Sequence, residues 1–271
     1  MTTRVHCDID DDGVAQVRLA RPERLNALDG AMFDALLQTA ETLQAAAGLR
    51  AVVLSGEGRA FCAGIDLANF EHVGPGATGV DLGARSGGTG ASLTERTHGI
   101  ANGPQQVVLC WRQLPVPVIA ALHGVVFGGG LQIALGADLR FAASDARLSI
   151  MEMAWGLVPD MAGIGLLRGL LRDDVARDLV YSARELTGTE AQALGLVTRV
   201  AADPLRDATE FARRVARQSP SAVRAAKRLL NAAFDGASIE TLLLAEAREQ
   251  RSLLGSAEQL ATVQARLKAG R

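Results

Sequence analysis

Apolar residues recur at three- and four-residue spacing across 30–47, where Met32, Phe33, Leu36, Leu37, Ala40 and Leu43 would share one face of a helix that Gly48 closes. Ahead of it, "VHCDI" and "VAQVRLA" flank "DDDG", a turn signal between two strand-like runs, which predicts a hairpin joined to the helix by the connector "RPERLNAL". "RAVVLSG" is almost wholly apolar, the pattern of a strand buried on both faces, and "PVPVIAAL" (115–122), "LRFAA" (139–143) and "GLVTRV" (195–200) look alike. Strands alternating with helices predict a mixed α/β layered fold. From about 203 onward the strands stop. "DATEFARRVARQSP", "SAVRAAKRLLNAAFDG", "SIETLLLAEAREQRSLL" and "SAEQLATVQARLKAG" read as four successive amphipathic helices. This divides the chain into a core, 1–200, and a helical region, 201–271, suited to packing on that core or on a neighbouring subunit. Residues 74–92, "GPGATGVDLGARSGGTGAS", are the one low-complexity stretch and predict a surface loop.

Composition narrows the function classes. The 271 residues are 48% hydrophobic and 21% charged with a formal net charge of −2, so no basic excess favours nucleic acid. No apolar run approaches the length of a membrane span, and "MTTRVHCDIDDDG" has no signal-like apolar segment. Cys7, Cys62 and Cys110 are scattered, as are His6, His72, His98 and His123, so neither a disulfide framework nor a metal site is expected. A reduced, cytoplasmic setting is the simplest reading.

Two stretches offer bare main chain. "GEGRAFCAGIDL" (56–67) follows the buried strand and leads into a short helix opened by Asp66; Ala63 and Gly64 would let another molecule approach the backbone. The plain alternative is a strand-to-helix turn with Asp66 as its N-cap. In "GVVFGGGLQIALGAD" (124–138), Gly128, Gly129 and Gly130 place free N–H donors at a helix start, an anion-attracting position, unless they serve tight strand–helix packing. The spacing is neither a dinucleotide nor a P-loop fingerprint, and no GxSxG occurs.

Two helix starts with bare N–H groups would make an oxyanion hole, and at this point the chain resembles the crotonase superfamily, the enoyl-CoA hydratase/isomerase family. The matching stretches are "RPERLNALDGAMFDAL", "AVVLSGEGRAFCAGIDL", "LPVPVIAALHGVVFGGGLQIALGADLRFA", "LSIMEMAWGLVPDMAG", "GTEAQALGLVTRV" and "SPSAVRAAKRLL". The resemblance implies a spiral of repeated ββα turns with a helical C-terminal region that builds a homotrimer or a dimer of trimers. It implies an acyl-CoA thioester substrate, no cofactor beyond the coenzyme A that this substrate carries, and an enolate held by the N–H groups of Ile65 and Gly129. Substrate- and CoA-binding positions are then expected at Arg24, Ala63, Gly64, Asp66, Leu67, Gly128, Gly130, Trp155 and Lys227. For Lys227 a solvated helix charge is the alternative, and for Trp155, like Met153, simple core filling.

Hydratases of this family hold water between two glutamates. Here Glu152 stands at the second position, but Gln132 stands at the first, and an amide cannot take a proton. Gln132 could face the oxyanion region or be a core residue satisfied by backbone. Glu152 lies among Met151, Met153 and Trp155, a setting that should raise its pKa, unless it is an exposed loop residue. Asp160 sits where the dienoyl-CoA isomerase branch carries one of its acids, and could otherwise cap the helix "MAGIGLLRGL". Glu152 with Asp160, and no acid at 132, favours a double-bond isomerase over a hydratase or a catalytically silent acyl-CoA-binding protein. Cys62 lacks an activating His and reads as packing, and His123 as a structural hydrogen bond.

Overall fold

The computed structural model describes residues 3–70 and 92–269. The predicted hairpin is present: β1 (Val5–Ile9) pairs antiparallel with β2 (Val14–Leu19) in the register Val5↔Leu19. Its turn is closed by Asp10, whose side chain accepts from the Asp12 and Val14 N–H groups. The helix predicted at 30–47 is α1 (Gly30–Ala45); the Asp29 carboxylate caps it by accepting the Met32 N–H at 2.8 Å, and the six apolar residues named above are its buried face.

β3 (Ala51–Gly56) lies parallel to β2, with β4 (Val118–Leu122) beyond it, and α2 (Gly103–Gln113) precedes β4 behind an Asn102/Gln105 capping box. β5 (Val125–Phe127) leads into α3 (Gly129–Gly136), and β6 (Leu139–Ala142) returns beside β4. After β7 (Arg147–Ser149) come a 3₁₀ turn (Met151–Trp155), α4 (Gly163–Leu167), α5 (Asp173–Ser182), β8 (Leu186–Thr187), α6 (Gly188–Leu194) and β9 (Arg199–Val200). The strands form one sheet in the order β1-β2-β3-β4-β6-β9 and a smaller one in the order β5-β7-β8. Successive turns thus climb from one sheet to the other, the spiral expected. Only part of the strand expected at 195–200 forms, because Gly195 (φ +96°) ends α6 and Leu196 and Val197 are buried in the turn that follows. Of the helix expected from "MAGIGLLRGL", only α4 is regular.

The four tail helices are α7 (Pro204–Ala216), α8 (Pro220–Phe234), α9 (Ile239–Leu253) and α10 (Ala257–Ala269). Of the two packings open to the helical region, α7 takes the first. Ala208 and Ala212 of α7 pack on Val14, Val53, Ile119, Ala121 and Phe141, so α7 closes the second face of the large sheet and belongs to the core. The main cluster, around Trp111, Phe33 and Phe61, fills the other face. Beyond α8, α9 buries no residue, and Glu258 of α10 accepts from Ser219 and Ser221 at the start of α8. The stretch expected as a loop at 74–92 lies outside the described residues, apart from Ser92. Among the described residues, no helix is long and apolar enough to cross a membrane.

Candidate active site

The first wall of the site is the loop after β3, and a buried asparagine shapes it. Asn26 (φ +57°) donates from its amide to the carbonyls of Glu57, Ala60 and Phe61 at 2.9, 2.9 and 3.2 Å, and accepts the Arg21 N–H at 2.8 Å. The chain then runs beside Leu28: the Leu28 N–H donates to Gly64 O, and the Asp66 N–H donates to Leu28 O. In such a parallel bridge the residue between the two bonded positions turns its own N–H away. That residue is Ile65, and its N–H has no protein acceptor among the described residues. The second wall is the start of α3. The Gly128 N–H donates to Ser149 O, while the Gly129 N–H, in the first turn of the helix, is likewise without an acceptor.

The glycines answer to different neighbours. Gly64 has φ +91°, and a Cβ there would lie 2.9 Å from Phe127 O and 3.6 Å from the Gly129 nitrogen, in the gap between the two walls. A Cβ on Gly128 (φ +49°) would stand 3.3 Å from Glu152 Oε1, and one on Gly129 would stand 3.0 Å from both Leu28 and Met161. Gly130 is bare for packing alone, since a Cβ would meet Cys62 at 2.5–2.9 Å. The bland reading therefore holds at 130, which does not reach the site.

Between the walls lies a cavity of about 460 Å³. Of the expected residues, Arg24, Ala63, Gly64, Ile65, Asp66, Leu67, Gly128, Gly129, Glu152 and Trp155 line it; Gly130, Gln132, Asp160 and Lys227 do not. Ala27, Phe127, Met151 and Leu157 also line it and were not anticipated. Trp155 and Leu67 stand at the exposed rim rather than in the core. Asp66 is both wall and cap: its carboxylate accepts the Ala68 N–H and pairs with Arg21 at 2.6 Å. Burial works to raise its pKa, but the Ala68 N–H and Arg21 outweigh it and hold the carboxyl below the usual Asp value.

Glu152 sits in the 3₁₀ turn after β7. Its Oε1 accepts the Gln132 amide N–H at 2.7 Å, while Oε2 is buried without a partner. Desolvation raises its pKa above the usual carboxylate value; its own backbone and Gln132 oppose the shift, and the nearby Asp160 carboxylate adds to it. Asp160 is no helix cap: the residue before α4 is Ala162, in the left-handed region, with no side-chain cap. Although Asp160 keeps exposed surface, and so access to solvent, the groups crowded around its carboxyl desolvate it and raise its pKa. Gln132 is held away from the cavity. Cys62 donates to Asn26 O and burial pushes its thiol up to about 12, while His123 bonds Gly58 O, so both keep the structural roles expected.

Two N–H groups on the cavity wall without an acceptor among the described residues, beside a carboxyl of raised pKa, can stabilise an oxyanion while a proton moves. The enoyl-CoA hydratase/isomerase family model matches residues 10–265. The chain belongs to the enoyl-CoA hydratase/isomerase family. It is 33% identical over 80% of its length, and 70% of the relative's, to the human protein named enoyl-CoA hydratase domain-containing protein 2, mitochondrial. It is 31% identical over 79% of its length, and 64% of the relative's, to the mouse mitochondrial Delta(3,5)-Delta(2,4)-dienoyl-CoA isomerase. A crystal structure of enoyl-CoA hydratase from Bacillus anthracis superposes with a TM-score of 0.85 at 27% identity, covering 99% of this chain and 97% of that one. The family's activities thus include both chemistries weighed for this member.

Lys227 needs a correction in this family member. Its ammonium is buried and donates to Asp138 and Val116 O at 2.8 Å each, and to Trp111 O at 3.4 Å, so it ties α8 to the segments leading into β4 and β6 instead of meeting CoA phosphates. Lys227→Met is expected to cost about 3 kcal/mol, because it strands a carboxylate and two carbonyls, while leaving KM for the thioester unchanged. Urea unfolding and steady-state kinetics check the pair of outcomes.

Proposed function

We propose that the protein shifts a double bond along an enoyl- or dienoyl-CoA. The thioester oxygen sits between the Ile65 and Gly129 N–H groups, which take up the charge as the proton on C2 leaves; one such donor is worth about 3 kcal/mol. Glu152 takes that proton. The resulting enolate is protonated at the far end of the conjugated system, C4 of a 3-enoyl or C6 of a 3,5-dienoyl thioester, and Asp160, outside the cavity lining but open to solvent, supplies the proton there through a water. Atoms balance with no water consumed, and a proton passing from Glu152 back to Asp160 through solvent restores the pair for the next turnover. The carrying observation is the proton machinery itself: a Glu152 carboxyl on the cavity wall, an Asp160 carboxyl whose charge adds to the raised pKa of Glu152, and at the position where a hydratase would need a second acid, an amide with both ends engaged.

We keep the expected homotrimer or dimer of trimers, supported by the exposed Leu230, Leu243, Leu244 and Leu254 along the tail, and a cytoplasmic setting.

A substrate panel tests the activity. Conjugated absorbance appearing from a 3-enoyl- or 3,5-dienoyl-CoA is the expected result. Loss of it from a 2-enoyl-CoA by hydration, with no activity on the other two, overturns the reading, as does tight binding without turnover. Asp160→Asn is expected to lose about a hundredfold in kcat on the dienoyl substrate; full activity on every substrate removes Asp160 from the mechanism.

A further inference from the structure

Buried polar side chains inside an apolar helix need a reason, and Gln132 has three. It is 2% exposed in the first turn of α3. Its Oε1 accepts the Met161 N–H at 2.9 Å and the Gly163 N–H at 3.0 Å, while its Nε2 donates to Glu152 Oε1 at 2.7 Å. The two backbone donors fix which end of the amide is oxygen, since an NH₂ group there would face two N–H groups.

The seat for this amide is built into the chain. A Cβ on Gly163 would fall 2.6 Å from the Gln132 oxygen and 2.9 Å from its carbonyl carbon, so only glycine leaves room. Ala162, between the two donors, takes the left-handed conformation (φ +67°) as the chain turns both N–H groups onto one oxygen. For a residue with a Cβ that conformation is disfavoured, and the two hydrogen bonds offset the cost.

We propose that Gln132 is a positioning residue, pinning the Glu152 carboxylate to the 161–163 backbone and so fixing it relative to the segment that carries Asp160. The inference rests on Glu152 being the proton carrier, but not on which double-bond chemistry follows. A carboxamide is suited to the task because it presents an acceptor to two donors and a donor to a carboxylate in one plane. A methionine of similar length has neither. A glutamate keeps the acceptor and replaces the donor with a like charge.

The test uses Gln132→Met and Gln132→Glu with two readouts. The pin stabilises ionised Glu152, so removing it raises that pKa, and a base that must be ionised then works only at higher pH. Gln132→Met is expected to lower kcat about tenfold with KM within about twofold, and to move the acidic limb of the kcat profile up by about one pH unit. Amide hydrogen exchange at Met161 and Gly163 quickens. Gln132→Glu is expected to keep those amides protected while moving the limb further up; where the Met variant does not fold, this variant decides. A limb and exchange rates both unchanged from wild type overturn the pin, because a residue that merely fills core would shift the melting temperature alone. If Glu152→Gln retains wild-type turnover, the proton-carrier reading falls, and the exchange rates still decide whether the amide holds the 161–163 backbone.

Discussion

Glu152→Gln is expected to lower kcat by about 10³-fold or more while leaving thioester affinity within about twofold, since the amide matches the carboxyl in shape and cannot accept the C2 proton. The Gln132 hydrogen bond survives the change through the new carbonyl oxygen, so geometry is not what is lost. The same substitution is expected to raise the melting temperature at neutral pH. The sign follows from linkage: a carboxyl whose folded pKa lies above its unfolded value favours folding less and less as pH rises past the unfolded pKa, and a neutral amide removes that penalty. Below the ordinary Glu range both states hold the proton and the stability difference disappears. Activity of the wild type should fall as pH drops through the raised Glu152 value. Steady-state kinetics beside a melting curve at two pH values check both signs. Turnover within tenfold of wild type would remove Glu152 from the chemistry.

Gly64→Ala is expected to cost about 10²-fold in kcat and to raise KM as well. The new methyl would press on Phe127 O and sit beside the Gly129 nitrogen, in the gap that a thioester oxygen must enter. The backbone there has φ +91°, so the variant also carries strain of roughly 1–2 kcal/mol. Gly165→Ala is the matched control, since its Cβ meets nothing within 4 Å in α4. If Gly64→Ala keeps wild-type kcat and KM, the oxyanion does not lie between Ile65 and Gly129. A crystal structure of the variant with a bound thioester would show where it does.

Much of this was legible in the order of residues. Hairpin, α1, the central parallel strands and the four tail helices carry period-2, period-3.6 or unbroken apolar patterns that burial alone imposes. Where reading failed, the deciding contact was distant in sequence. Lys227 is one of several basic residues on an amphipathic helix, and nothing local tells that α8 turns it inward to Asp138, 89 positions away. Gly130 looks like its two neighbours until Cys62 is seen against it. Gln132 did announce itself, as a polar residue among core residues, although its partners at 152, 161 and 163 did not. Asn26 carries a similar signal, an amide between Leu25 and Ala27, but its partners at 57, 60 and 61 are equally distant in sequence. Asp160 could not be separated from a helix cap until α4 was found to begin beyond it.

The proposed anion cradle and the proposed proton machinery are made of different materials. Main-chain N–H groups, held by a bridge to Leu28 and by a helix start, survive nearly any exchange of side chains that respects size. The acids and the amide, borne on separate coils of the spiral, can change one at a time without disturbing it. Such a division of labour would let one scaffold keep its grip on a thioester while single substitutions redirect what happens to the carbon beside it.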